Sequence, residues 1–306
     1  MKVSVVICTY SFEMYEAFTE SVESILEQTY DNIELVLMID GNDQLYQRVA
    51  DAYGDIENVQ VHVNETNVGL SASRNNALSH VTGDVVALID DDAVADPEWI
   101  AELVSVYQSR DAIAAGGRMI PEWVAGKPRF LPEEFYWLIG VTHRGFADDG
   151  DEVRNTFGSN ISFKTSVLQE LGGFEPAVGR HGDNKLQAHE TEFCARMQAE
   201  YNRGVVYNAD AIVAHKVFAF RTQKRWLAKR AFWQGYSKRA LEVLVPETDT
   251  DEESAFLASL LTEFIPQRMR GLVRAPSVPK ISQLGWLLLL TGLVGAGYLY
   301  GLTKWR

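Results

Sequence analysis

Four short runs rich in β-branched residues, VSVVICT (3–9), IELVLMI (33–39), VQVHV (59–63) and DVVALID (84–90), alternate with stretches of helix-like apolar spacing near residues 18–28, 43–53 and 71–80. That alternation is the tightest constraint on what the chain can fold into. Strands separated by helices predict a parallel sheet covered on both faces. In such α/β sheets ligands sit beyond the carboxyl ends of the strands. Thr9 and Tyr10, Asp40 and Gly41, and Asp90, Asp91 and Asp92 all fall at such ends. Their convergence is the first functional signal.

The three successive aspartates need a reason. Like charges this close raise each other's pKa unless something positive lies between them. Capping of the helix that begins near Pro97 is one explanation, but Asp96 stands directly before that proline and fills the role better. An Asp-x-Asp at a strand end suits a hard divalent cation, Mg²⁺ or Mn²⁺, which in turn neutralises a diphosphate. The chain has no glycine-rich phosphate loop of the dehydrogenase or P-loop type, so the metal is expected to carry that task. A rival reading is chemical. Residues 90–94 (DDDAV) also satisfy the D-x-D-x-[TV] nucleophile motif of haloacid-dehalogenase-like phosphatases, with Asp90 and Asp92 as the working pair. Such an enzyme carries that motif near the start of its core, whereas here three strand ends precede it.

The formal charge of −14 hides an asymmetry. Residues 1–215 hold 14 Lys/Arg against 35 Asp/Glu, and residues 216–306 hold 14 against 7. An acidic body disfavours nucleic acid as a partner. From 216 to 241 there are eight basic residues and no acidic one, interleaved with Phe218, Trp226, Phe232, Trp233 and Tyr236, which predicts a basic helix at a headgroup layer. Residues 281–302 carry no charge; as a helix they would reach about 33 Å, enough for a bilayer core. Arg268, Arg270, Arg274 and Lys280 precede this stretch, and Trp286 and Trp305 stand near its ends, as anchors do. A buried hairpin broken at the glycines of 292–297 is the soluble alternative. With two cysteines, Cys8 and Cys194, and no disulfide framework, the body is expected in the cytosol and the chain at the cell membrane, crossing once near its C-terminus.

Four segments, CTYSFEMYEAFTESVESILEQTYDNIELVLMIDGND, NVGLSASRNNALSHVTGDVVALIDDDAVADPEWI, FGSNISFKTSVLQELGGFE and HETEFCAR, occur in this order. Together they resemble the family-two glycosyltransferases with a GT-A fold, over about residues 1–215. The whole chain is similar to membrane-associated archaeal enzymes that extend dolichyl-phosphate-linked glycans for protein N-glycosylation, the glucuronosyltransferases among them. The resemblance implies a GT-A catalytic domain at 1–215, with a nucleotide-sugar half (1–118) and an acceptor half (119–215). A basic membrane-proximal region (216–280) and a transmembrane helix (281–302) would follow.

It also implies roles. Thr9 and Tyr10 stand where the family holds the nucleotide base, with Asp40 as a second carboxylate nearby; the acid that often precedes it is Ile39 here. Asn67, Gly69 and Arg74 match the stretch lining the nucleotide-sugar pocket. Asp90 and Asp91 would face ribose and sugar hydroxyls, and Asp92 would bind Mg²⁺ or Mn²⁺. His215, ending a strand-like run, would touch the metal or the departing phosphate. Direct displacement of a nucleoside diphosphate needs a base for the acceptor hydroxyl. Glu190 of HETEF matches the base position, with His189 as its rival. Glu190 and Glu192 are two residues apart, so on a helix only one can point into the site. QKRW (223–226) is one residue shorter than the QxxRW element of processive synthases, which argues for one sugar per encounter. The expected reaction is inverting and metal-dependent, moving a hexuronic acid or hexose from a nucleotide-diphospho-sugar to a polyprenyl-phosphate-linked glycan. A non-catalytic nucleotide-sugar-binding subunit is the remaining alternative.

Overall fold

The alternating segments do form a parallel sheet. β1 (Val3–Thr9) lies between β2 (Ile33–Asp40) and β4 (Val85–Leu88), and β3 (Val59–Asn64) pairs with β2, all in parallel register. Period-two alternation sends Val5 and Ile7 to one face with Phe18 and Trp99, and Val6 to the other with Val36, Leu88 and Phe163. Both faces are thus covered, as the near-continuous apolar strands require. The computed structural model describes residues 1–178, 189–244 and 251–305.

Five further strands extend the sheet: β5 (Ala93–Ala95), β6 (Ala114–Trp123), β7 (Glu152–Val153), β8 (Ile161–Lys164) and β9 (Val205–Val217). The strand order is β3-β2-β1-β4-β8-β6-β9-β5, with β7 on β9. Beyond β4 the pairing turns antiparallel, β4 with β8 and β8 with β6. The order reverses at the β1/β4 boundary, because chain progression runs outward to β3 on one side and through β4 on the other. Such a switch point opens a crevice at the carboxyl ends of the strands. Thr9 and residues 90–92 border that crevice.

The helices are α1 (Tyr15–Leu26), α2 (Asp43–Tyr53), α3 (Leu70–Leu78), α4 (Trp99–Ser109), α5 (Thr165–Glu170), α6 (His189–Tyr201), α7 (Lys224–Leu244), α8 (Asp251–Ser259), α9 (Ile265–Arg274) and α10 (Val278–Lys304). Local chemistry sets several starts. Asn42 caps α2 by accepting from the Leu45 amide at 3.1 Å, and Gly69 precedes α3 at φ +84°, a left-handed conformation open to glycine. At the other end of the sheet the buried Glu34 is enclosed by donors: Lys2 Nζ at 2.6 Å, the Thr82 hydroxyl at 2.6 Å, the Ser4 hydroxyl and the Gly83 amide at 3.2 Å. Burial alone would raise its pKa, but these hydrogen bonds hold it down to about 2.

The chain groups into two units, Met1–Ile120 with Ala147–Lys216, and Pro121–Phe146 with Val217–Arg306. Residues 121–146, assigned from sequence to the acceptor half, group with the C-terminal helices. The second unit has its own apolar core, including Leu131, Phe135, Leu138, Phe264, Leu287 and Leu290. Inside it the fully buried Glu134 accepts from Arg268 Nε at 3.0 Å and Nη2 at 2.5 Å. One helix of the described residues, α10, is long and apolar enough to cross a membrane.

Candidate active site

The site is built on Arg74. The residue is 2% exposed, yet its guanidinium meets three oxygens. Nη2 donates to Asp90 Oδ1 and to the Gly158 carbonyl, each at 2.9 Å, and Nη1 donates to Glu190 Oε1 at 3.1 Å. A buried guanidinium is tolerated where planar, charge-assisted hydrogen bonds satisfy its fork. One cation of α3 therefore gathers the end of β4, the loop before β8 and the first turn of α6. Expected from sequence as a pocket-lining residue, Arg74 is the bridge between the two carboxylates.

Asp90 is further fixed through its backbone. Its amide donates to the Ser159 hydroxyl at 3.0 Å, and its carbonyl accepts from the Ser21 hydroxyl at 3.1 Å. Asp91 accepts from the Thr9 hydroxyl at 2.7 Å, tying the end of β1 to the turn after β4. Burial pushes the Asp91 carboxyl up to about 7, the neighbouring charges of Asp92 and Asp90 add to the rise, and the Thr9 hydrogen bond opposes it. Asp92 is 5% exposed and faces His215, whose Nε2 lies 3.3 Å from Oδ1. The β5–β9 register pairs Ala93 with His215, so the sheet itself sets Asp92 beside that imidazole. Next to it, Lys216 Nζ reaches Glu20 at 2.6 Å.

The remaining expected residues divide. Asp40 is buried and turned to the chain itself: it accepts from the amides of Val68 and Gly69 and from Asn64 Nδ2, each at 2.9 Å. Its carboxylate holds the Asn67–Gly69 loop in place. Asn67 and Tyr10 are exposed, and the Tyr10 carbonyl accepts from Asn42 Nδ2 at 3.1 Å. Glu192 pairs with Arg196 at 2.5 Å on its own helix, away from Arg74, so of the two glutamates only Glu190 joins the cluster. His189 opens α6, and its side chain lies outside the described residues.

Sequence reasoning missed Gly158, Ser159 and Ser21. Gly158 is the most demanding of them. A Cβ built there would lie 1.6 Å from Glu190 Oε1, so no side chain fits while that carboxylate keeps its place. The FGSN stretch carried the signal, but only the fold shows which atom each residue offers.

The chain matches the model of glycosyl transferase family 2 over residues 4–172. It belongs to glycosyl transferase family 2. This family-2 glycosyltransferase is 50% identical over 303 residues to a glucosyl-dolichyl phosphate glucuronosyltransferase of Haloferax volcanii, covering 99% of this chain and 96% of that one. A glycosyltransferase is therefore the enzyme class, and the phosphatase reading falls. Among solved structures, the mannosyltransferase PcManGT of Pyrobaculum calidifontis, in complex with GDP-Man and Mn²⁺, superposes with TM-score 0.60 at 18% identity. That match covers 100% of this chain and 88% of the other. S. aureus TarS in complex with UDP-GlcNAc gives 0.58 at 17%, covering 100% and 90%. Both likenesses establish the GT-A fold.

Whether a metal fits can be judged from the donors. Among the described residues no three His, Cys, Asp or Glu side chains enclose an ion. Asp92 and His215 instead offer two adjacent donors, one a hard oxygen, in a cluster whose aspartates outnumber its cations. Mg²⁺ takes one or two carboxylates and completes its shell with phosphate oxygens and water, so a partial site of this kind fits the group.

Proposed function

We propose that this chain is an inverting, metal-dependent transferase that moves a hexuronic acid from a nucleotide-diphospho-sugar to a dolichyl- or polyprenyl-phosphate-linked glycan. The observation that carries the acceptor and the sugar is the 50% identity, sustained over both chains, with the Haloferax glucuronosyltransferase. A nucleotide-sugar donor is supported further by the ligands named in the complexes of TarS and PcManGT.

In this reading Glu190 deprotonates the acceptor hydroxyl. Arg74 fixes its carboxylate by donating to Oε1 and holds Asp90 through the same guanidinium, so base and donor-side carboxylate keep a set separation. Asp90 and Asp91 meet hydroxyls of ribose and sugar, with Thr9 orienting Asp91. Thr9, Tyr10, Asn67 and Gly69 line the base side, and Asp40 acts by fixing the loop that carries the last two. Asp92 and His215 would hold the cation. When bound, a divalent ion supplies positive charge to the leaving diphosphate. The C-terminal unit attaches the enzyme to the membrane with the catalytic unit on the cytosolic side, where its nucleotide sugar is found.

The test is transfer by the purified full chain. Glucosyl-dolichyl phosphate is incubated with nucleotide-linked glucuronic acid and, separately, nucleotide-linked glucose, and the lipid is weighed by mass spectrometry. Addition of one hexuronic acid residue is expected. Addition of a hexose alone would overturn the donor assignment, and no addition to any polyprenyl-linked sugar would overturn the acceptor.

A further inference from the structure

The apolar helix does not stand alone. α7 and α10 run side by side and parallel: Lys224 Nζ lies 6.0 Å from the centre of the Trp286 ring, and the Tyr236 and Trp305 rings lie 6.1 Å apart, tilted at 55°. Between these ends the backbones touch. A Cβ on Gly235 would meet the Val294 carbonyl at 1.9 Å, and one on Gly297 would meet the Phe232 carbonyl at 1.8 Å. Gly301 likewise faces the Arg239 Cβ. Ala231 and Gly235 on one helix and Gly297 and Gly301 on the other are each four apart, so two stripes of small residues form the seam. Tyr298 donates to Glu242 at 2.9 Å, and Arg239 donates to the Trp305 carbonyl at 3.4 Å. Wherever α10 goes, α7 goes with it.

That coupling bears on how α10 can meet a bilayer. Counting along the seam from Gly235 beside Val294, Lys229 lies level with roughly residues 288–292, the middle of the uncharged stretch. Lys229 and Arg225 are both exposed. If α10 ran straight across the hydrocarbon, Lys229 would ride into its centre and Arg225 into the same core nearer one surface, where charged side chains are among the costliest groups to place. The first two turns of α10 also carry polar contacts: Gln283 accepts from Arg268 at 2.9 Å and donates to the Arg129 carbonyl at 3.0 Å, and Lys280 caps the end of α9.

The outer face of α10 is different. Val278, Ile281, Leu288, Leu299 and Leu302 are exposed, with Gly285, Gly292 and Gly295 between them, a continuous uncharged stripe about 36 Å long. Val273 and Met269 of α9 are exposed as well, beside the basic Arg270 and Arg274. An apolar stripe with basic flanks matches the boundary between acyl chains and anionic headgroups.

We propose that the C-terminal unit is a monotopic membrane anchor. α10 lies in the plane of the leaflet with its outer stripe among the acyl chains of an anionic bilayer, and both its ends stay on the side of the catalytic unit. The proposal rests on the membrane reading above and replaces the crossing that length and apolarity alone suggest.

The test uses sealed membrane vesicles from cells that express the full chain, with single cysteines introduced at exposed positions as Glu57→Cys, Ala275→Cys or Thr303→Cys. The parent chain is the blank, since Cys194 is fully buried and burial pushes the Cys8 thiol up to about 12. A membrane-impermeant maleimide should label all three to the same extent without detergent, or protect all three alike. Thr303→Cys labelled from the side opposite to Glu57→Cys overturns the in-plane anchor and leaves membrane attachment standing. A parent chain that does not sediment with the vesicles removes both. As a second arm, Leu288→Glu with Leu299→Glu should lose sedimentation with phosphatidylglycerol–phosphatidylcholine vesicles while donor binding is unchanged. Undiminished sedimentation would show that this stripe is not the lipid-facing one.

Discussion

Gly158→Ala adds one methyl group and removes nothing, which makes it a clean probe of the site. The new Cβ would fall 1.6 Å from Glu190 Oε1 and 2.4 Å from its carboxyl carbon. Ordinary contact begins near 3.4 Å, so the carboxylate must retreat by about 2 Å. Because the clash is with the far end of a flexible side chain, the backbone need not move. Displacement of this size takes Glu190 out of reach of Arg74 Nη1, while the bonds from Nη2 to Asp90 and the Gly158 carbonyl remain. Losing one charged hydrogen bond costs about 1.5–3 kcal/mol in a dry site. The Glu190 side chain is 18% exposed and can hydrate, which puts the loss at the lower end. The fold should survive.

Turnover should not. A misplacement of about 1 Å at a reacting group can cost ~10²-fold, and loss of base catalysis ~10²–10⁴-fold. The expected result is kcat down by at least about 10²-fold with donor Kd within about threefold of wild type. The assay pairs steady-state sugar transfer with calorimetric titration of the nucleotide sugar, and a thermal melt verifies the fold. Wild-type turnover in a folded Gly158→Ala protein would refute the reasoning, since it would mean that the position Glu190 holds against Arg74 is not the one it uses in catalysis.

Glu190→Gln should lose turnover by ~10²–10⁴-fold while donor binding changes little; near-normal rates there combined with a dead His189→Ala would move the base to His189. Asp92→Ala should abolish activity restored by Mg²⁺ or Mn²⁺ yet leave the melting temperature near wild type, because removing one carboxylate relieves the repulsion that raises Asp91. Full turnover in excess EDTA would sink the metal assignment. Glu34→Gln tests stability far from the site. The folded pKa of Glu34 is held below its unfolded value, so its contribution is complete above about pH 4.5 and disappears as pH falls towards about 2. The variant should lose up to about 3 kcal/mol at neutral pH and show a flatter acid limb, followed by melts between about pH 7 and pH 3. Parallel acid limbs in the two proteins would contradict the linkage.

The first four strands and three helices were legible because apolar period and β-branched content change there with every element. The carboxylates were legible because strand ends are where a parallel sheet exposes function. β9 was legible as a strand-like run ending at His215, but β6 was harder: AAGGRMIPEW mixes glycine, proline and polar residues, and an antiparallel extension needs no regular period. Asp40 shows a different limit. Its type and position are those of a ligand-facing acid, but which partner a carboxylate takes depends on where the amides of Val68 and Gly69 arrive, and those come from a loop 28 residues downstream. The α7–α10 seam was illegible for the same reason, since Gly235 and Gly297 acquire meaning only when the fold sets them opposite one another.

The buried guanidinium explains why this site can be acidic and still be ordered. Three aspartates and a glutamate around one crevice would repel one another into alternative rotamers. Arg74 offers a planar fork whose donors point in fixed directions, and it spends them on Asp90, on Glu190 and on a backbone carbonyl between them. A lysine in its place has a single nitrogen on a flexible stem and cannot fix two carboxylates at a set separation. Asp91 is ordered differently, by the Thr9 hydroxyl, and Asp92 by the register that sets it beside His215. The cluster thus divides into an arginine-held pair, Asp90 and Glu190, and an aspartate–histidine pair, Asp92 and His215, and the proposed function gives the first to hydroxyls and the second to a cation. Asp90, Asp91 and Asp92 follow β4 and share its support, while Glu190 reaches them from α6 and is held by Arg74. The three aspartates are thus ordered by the sheet end they follow, and the fourth acid by the guanidinium that links its helix to that end.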